Sequence, residues 1–126
     1  QATECAHEHE RFVTNVTGIG VFPNMKAPRI LWAGITQGTE AIISMKQALD
    51  QKLSSLGFEI DKRHFVPHLT IGRVKACDDL PRLEERIIAQ ARFSLPEVEI
   101  RELNVIQSTL TPKGPVYEIL ARCPLR

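Results

Sequence analysis

Phe65-Val66-Pro67-His68-Leu69-Thr70-Ile71-Gly72-Arg73-Val74 carries an imidazole, a hydroxyl two residues later and a guanidinium three beyond that, on an apolar, partly β-branched segment. In an extended strand, residues i and i+2 point to the same face. His68 and Thr70 are therefore expected side by side on one surface, with Leu69 and Ile71 turned the other way into a core. Histidine titrates near neutrality and can give or take a proton. A threonine hydroxyl beside it can donate to an anionic oxygen. Together they make half of a phosphate-handling site. Arg73 lies at an odd offset from His68, so strict alternation sends it to the opposite face. A bulge after Gly72, or the end of the strand there, turns it back. Otherwise it covers a helix end or pairs with a carboxylate.

On either side of this strand the chain is clearly punctuated. Phe12 to Phe22 is rich in Val, Ile and Thr and predicts a strand that stops at the Pro23-Asn24 turn. Arg29 to Ile35, behind Pro28, predicts a second strand. Thr39 is the expected N-cap of a helix in which Ile42, Met45, Leu49, Leu53 and Leu56 recur at helical spacing, and Gly57 supplies its stop. Downstream, Asp79 caps a second helix with Leu80, Leu83, Ile87 and Ala91 on one stripe. Glu97 to Ile106 reads as a strand. Leu103 to Leu110 and Pro115 to Ala121 read as a hairpin joined by Thr111-Pro112-Lys113-Gly114. This order of elements predicts an α+β layer, two helices behind an antiparallel sheet. Residues 1 to 11 are polar and are expected as the tail of a helix.

A chain of 126 residues is one domain by length and is expected to bury a real core. With 43% hydrophobic and 25% charged residues it is not a disordered chain. A formal net charge of +1 argues against a non-specific nucleic-acid binder, but not against a protein that grips one terminal phosphate. Cys5, Cys77 and Cys123 are odd in number and widely spaced, which suggests a reducing compartment, the cytosol, rather than a disulfide framework. No apolar run approaches the roughly 20 residues of a membrane-spanning helix.

Three stretches carry a family resemblance. His68-Leu69-Thr70 with its flanks is similar to the second His-x-Thr motif of the two-histidine (2H) phosphoesterases. Gly18-Ile19-Gly20-Val21-Phe22-Pro23-Asn24 with Pro28 to Gly34 is similar to the central stretch of the RNA 2′,3′-cyclic phosphodiesterases, also called 2′-5′ RNA ligases. Ser108 to Glu118 is similar to their C-terminal hairpin. The resemblance runs from about Phe12 onward and is nearest to archaeal members. It departs at one point: the family carries two His-x-Thr motifs, and His7, His9 and His64 are not followed at i+2 by Thr or Ser. Residues 1–126 are therefore expected as a single partial domain, with residues 1–11 the remnant of a preceding helix and the first motif outside this sequence.

The resemblance implies a bilobal fold with a cleft between lobes. It implies hydrolysis of RNA 2′,3′-cyclic phosphate ends to 2′-phosphates by paired histidines, with reversible 2′-5′ ligase chemistry and no metal or other cofactor. His68 is then one proton-transfer group, as acid or as base. Thr70 binds a phosphate oxygen, and Arg73 faces the phosphate. The partners implied are RNA ends, tRNA halves among them, and the N-terminal half of the same protein. Membrane partners are not implied. A non-catalytic module that binds RNA ends is the rival reading, and pairing of two copies is a third.

Other residues carry weaker signals. Tyr117 and Ser108 line the cleft or simply pack the hairpin. Lys75 and Lys113 meet RNA phosphates or stay solvated. Trp32 is expected in the core rather than stacked on a base. His64 is expected at the surface where the strand begins. Cys5-Ala6-His7-Glu8-His9 groups metal-ligand types, but no second pair sits at zinc spacing, so a solvated terminal segment is expected. Gly18-Ile19-Gly20 is too short for a dinucleotide loop.

Overall fold

The motif segment extends as expected, but it pairs with a slip that strict alternation does not foresee. A computed structural model describes all 126 residues. In it, β4 (His68–Arg73) forms one edge of a three-stranded antiparallel sheet with β3 (Ile30–Gly34) and β2 (Thr17–Phe22), in the order β2-β3-β4. Gly34 pairs with His68, Ala33 with Leu69 and Trp32 with Thr70; then Leu31 pairs with Gly72 and Ile30 with Arg73. Ile71 is the extra residue of a bulge. The strand Phe12 to Phe22 is broken into β1 (Phe12–Thr14) and β2. Asn15 lies at the break, and its Oδ1 accepts from the Thr36 and Gln37 N–H groups at 3.1 and 2.9 Å. A side chain that binds the backbone of a neighbouring loop competes with ladder continuation.

Chain contacts divide the molecule into two units. The first comprises Gln1–Phe12, Glu40–Arg63 and Glu99–Arg126; the second comprises Val13–Thr39 and His64–Val98. In the second unit, α3 (Leu80–Ala89) begins where Asp79 accepts the Arg82 N–H at 3.1 Å. It packs against β2. The chain after it runs along that strand's outer edge, with Gly18 donating to the Phe93 carbonyl and Leu95 to that of Val16.

In the first unit, α1 (Ala2–His7) and α2 (Thr39–Ser54, of which the first residue belongs to the other unit) accompany a hairpin of β6 (Glu102–Thr111) and β7 (Gly114–Pro124). The predicted Gly57 stop is present. Gly57 has φ +89, its N–H bonds the Ser54 carbonyl, and the Phe58 N–H reaches that of Leu53. Those two bonds form the Schellman arrangement that closes a helix. The hairpin turns through Pro112-Lys113, because Thr111 pairs with Gly114. The predicted strand Glu97 to Ile106 breaks at Arg101 into β5 (Val98–Ile100), which pairs with β1, and β6. At the break the Arg101 carbonyl accepts the Leu125 N–H at 2.8 Å. The architecture is α+β with antiparallel pairing, as expected, but the strands form three sheets of two, three and two strands and not one.

Two burial expectations are overturned. Leu69 and Ile71 do not enter a core: they are 50% and 53% exposed. β4 is an edge strand, α3 lies at the opposite edge, and Ile71 is bulged out of the ladder. The core itself is small. The buried apolar side chains are Cys5, Ala6, Met45, Cys123 and Leu125 in the first unit and Pro28, Ala33 and Pro67 in the second. Two-stranded and three-stranded sheets with uncovered faces cannot enclose more.

Candidate functional site

Directly paired residues of an antiparallel ladder project to the same face. The register of the second unit therefore assembles one surface: Gly20 and Phe22 from β2, Ile30, Trp32 and Gly34 from β3, and His68, Thr70 and Arg73 from β4. The bulge at Ile71 consumes one residue and restores Arg73 to the His68 face. It lies one residue before the position considered for it, and it has the same effect. Counted along β3, Arg73 pairs four residues from His68's partner, roughly 13 Å away at about 3.3 Å per residue.

His68 is exposed, and its ring is held from two sides. Its Nδ1 lies 2.6 Å from the Val66 carbonyl oxygen. A carbonyl only accepts, so Nδ1 carries the proton and donates, leaving Nε2 as the nitrogen open to a ligand. Phe22 meets the imidazole edge-on, with centroids 5.0 Å apart and planes at 90°. Trp32 lies 6.3 Å from it and 5.0 Å from Phe22. Such edge contacts contribute about 0.5–1.5 kcal/mol each and fix a ring's orientation. The indole spreads over Gly20, where a Cβ would meet its Cζ2 at 2.2 Å. Only glycine leaves room for that floor. Trp32 is thus partly buried on the His68 face, beside the imidazole, and not in the core as expected.

Thr70 stands beside His68 on this surface and is exposed, so its hydroxyl is available to an anion. Ser108 and Tyr117 lie in the other unit, directly opposite each other on β6 and β7. Tyr117 is 67% exposed. His64 lies exposed before β4 begins. The Cys5 to His9 segment is engaged structurally. Cys5 Sγ donates to the Met45 carbonyl at 3.6 Å, and His9 Nδ1 lies 2.8 Å from the Cys5 carbonyl at the end of α1.

A family model described as the 2′-5′ RNA ligase superfamily matches residues 1–111. The chain belongs to that superfamily. Among curated proteins, one from Methanocaldococcus jannaschii named RNA 2′,3′-cyclic phosphodiesterase is 40% identical over 102 residues, covering 81% of this chain and 57% of its own length. A protein of the same name from Aeropyrum pernix is 32% identical over 111 residues, covering 88% and 63%. One from Thermotoga maritima is 37% identical, covering 89% and 57%. The chain thus spans about three-fifths of the length of these relatives. It shares its fold with the crystal structure of TT0787 of Thermus thermophilus, with TM-score 0.71 over 99% of this chain and 66% of that one, at 22% identity.

Sequence reasoning singled out His68, Thr70 and Arg73, which the register places on one face, but gave no role to Phe22 and Gly20. Phe22 touches His68 only through a register two strands away. The nearest signal was the Gly18-Ile19-Gly20-Val21-Phe22 run in the stretch similar to the family, which marks a position without explaining it.

Proposed function

We propose that the His68 face is one half of the active site of an RNA 2′,3′-cyclic phosphodiesterase. The observation that carries this reading is the exposed His68 ring, its Nδ1 bound to Val66 and its Nε2 left free beside Thr70. The substrate is an RNA end bearing a 2′,3′-cyclic phosphate, tRNA halves among them. Water attacks phosphorus, the bond to O3′ breaks and a 2′-phosphate remains. One imidazole takes the water proton and another protonates O3′, each contributing about 10²–10⁴-fold. His68 Nε2 is one of these. The second imidazole belongs to a His-x-Thr motif in the N-terminal half of the protein. Thr70 donates to a non-bridging oxygen where charge develops. Two imidazoles and fixed donors balance every proton without a metal. When a 5′-hydroxyl replaces water, the same ring opening forms a 2′-5′ linkage. The three free cysteines suit a reducing cytosol.

The single His-x-Thr motif favours one rival, a module that binds RNA ends without turning them over. The test is ³¹P NMR of a 2′,3′-cyclic mononucleotide mixed with this chain and a separately made N-terminal half. We expect 2′-phosphate product, and none with His68→Ala. Full turnover by the variant would remove His68 from the chemistry; binding without turnover by the wild type would establish the module.

A further inference from the structure

At the far end of β4 the second unit contains a pocket of about 560 Å³, within the roughly 300–1,000 Å³ span of small-ligand sites. Arg29, Arg73 and Lys75 line it, and no carboxylate does. None of the three cations forms an ion pair. The nearby Asp79 carboxylate is turned to the α3 N-terminus, where it accepts from Arg82. Pro28, Val74 and Leu80 supply apolar wall. The pocket is continuous with the His68 face: Arg73 belongs to both, and the Val74 N–H bonds the Arg29 carbonyl at 2.8 Å, extending the β3–β4 pairing to the pocket mouth.

We infer that this pocket holds the phosphodiester backbone of the RNA upstream of the end seated at His68. The inference rests on the proposed function, since it takes the RNA terminus to lie at His68 and Thr70. Unpaired cations around an open pocket favour an anion of more than one charge. Arg73 is roughly 13 Å from His68 along the strand and Lys75 lies beyond it, too far for one phosphate to touch both His68 and Lys75, and the spacing suits a later phosphate of the same strand. An apolar wall beside cations accepts a nucleotide better than it accepts an inorganic ion. Arg73 then links the two sites, and the chain distinguishes an oligonucleotide end from a cyclic mononucleotide.

Cys77 lines the pocket and is partly exposed, whereas Cys5 and Cys123 are buried. Alkylation of Cys77 by N-ethylmaleimide therefore reports occupancy. The ligands are a tetraribonucleotide ending in a 2′-phosphate and a nucleoside 2′-monophosphate, both bound to this chain. We expect the tetranucleotide to bind more tightly and to slow Cys77 alkylation, and the saturating mononucleotide to leave it unchanged. Lys75→Ala should weaken the tetranucleotide about fivefold and leave the mononucleotide alone. It should also reduce the salt slope of tetranucleotide binding by about 0.7. Equal affinities for the two ligands, or a bound tetranucleotide that does not protect Cys77, would overturn the inference. His68→Ala separates it from the reading it rests on. If the variant keeps the preference for a 2′-phosphate over a 2′-hydroxyl end, with Cys77 still protected, the pocket stands and the role of His68 falls. A tetranucleotide that does not bind at all overturns both.

Discussion

A carbonyl oxygen fixes which nitrogen of His68 is free. With Nδ1 donating to Val66, only Nε2 can exchange a proton with a ligand on the open face. Thr70 is the nearest donor on that face by register, and its exposure means that its loss should not disturb packing. We expect Thr70→Val to weaken nucleoside 2′-monophosphate binding about tenfold while the urea midpoint stays unchanged. Calorimetric titration of the two proteins decides it, and equal affinities contradict the assignment. His68 and Thr70 were legible in the sequence because side-chain alternation acts over two residues. Phe22 was not, because its contact with His68 depends on the register of three strands, set by a bulge at Gly18 and another at Ile71.

At the scale of elements, the sheet carries two glycines with opposite consequences. A Cβ at Gly20 would collide with the Trp32 ring, whereas one at Gly72 would meet nothing. Gly20→Ala should cost about 1–3 kcal/mol in urea unfolding, since the indole cannot shift without losing its floor. Gly72→Ala should fall within about 0.5 kcal/mol of the wild type. Equal costs at both positions would contradict the packing described. Strands and helices were readable from periodicity and caps, and the Asp79 cap and Gly57 stop are present. The breaks at Asn15 and Arg101 were not readable, because in each the partner comes from a distant segment, Thr36-Gln37 or Leu125. Arg73 belongs to the same lesson. Its offset looked wrong until one unpaired residue was counted out of the ladder.

Across the whole molecule, expected and observed burial differ most. Composition promised a substantial core, yet large apolar side chains such as Leu110 and Tyr117 are 85% and 67% exposed. Length and hydrophobicity state how much can be buried, not whether a covering element is present. The small core has a titratable member. Burial, followed by the Glu8 carboxylate, raises the Cys5 thiol above its ordinary value near 9. The folded state therefore holds that proton more tightly than the unfolded chain, so stability is full below about pH 9 and declines as pH rises beyond it. Urea unfolding at pH 8 and 10 should show a smaller decline for Cys5→Ala than for the wild type. Equal declines would show that the thiol is not responsible.

The proposed seating of an RNA terminus on the open imidazole is tested most directly at the imidazole itself. NMR of ¹⁵N-histidine-labelled chain should show His68 as the Nδ1–H tautomer, with its Nε2 resonance shifting on addition of a nucleoside 2′-monophosphate while those of His7 and His64 stay still. A His68 signal that ignores saturating nucleotide, or an Nε2–H tautomer, would contradict the account.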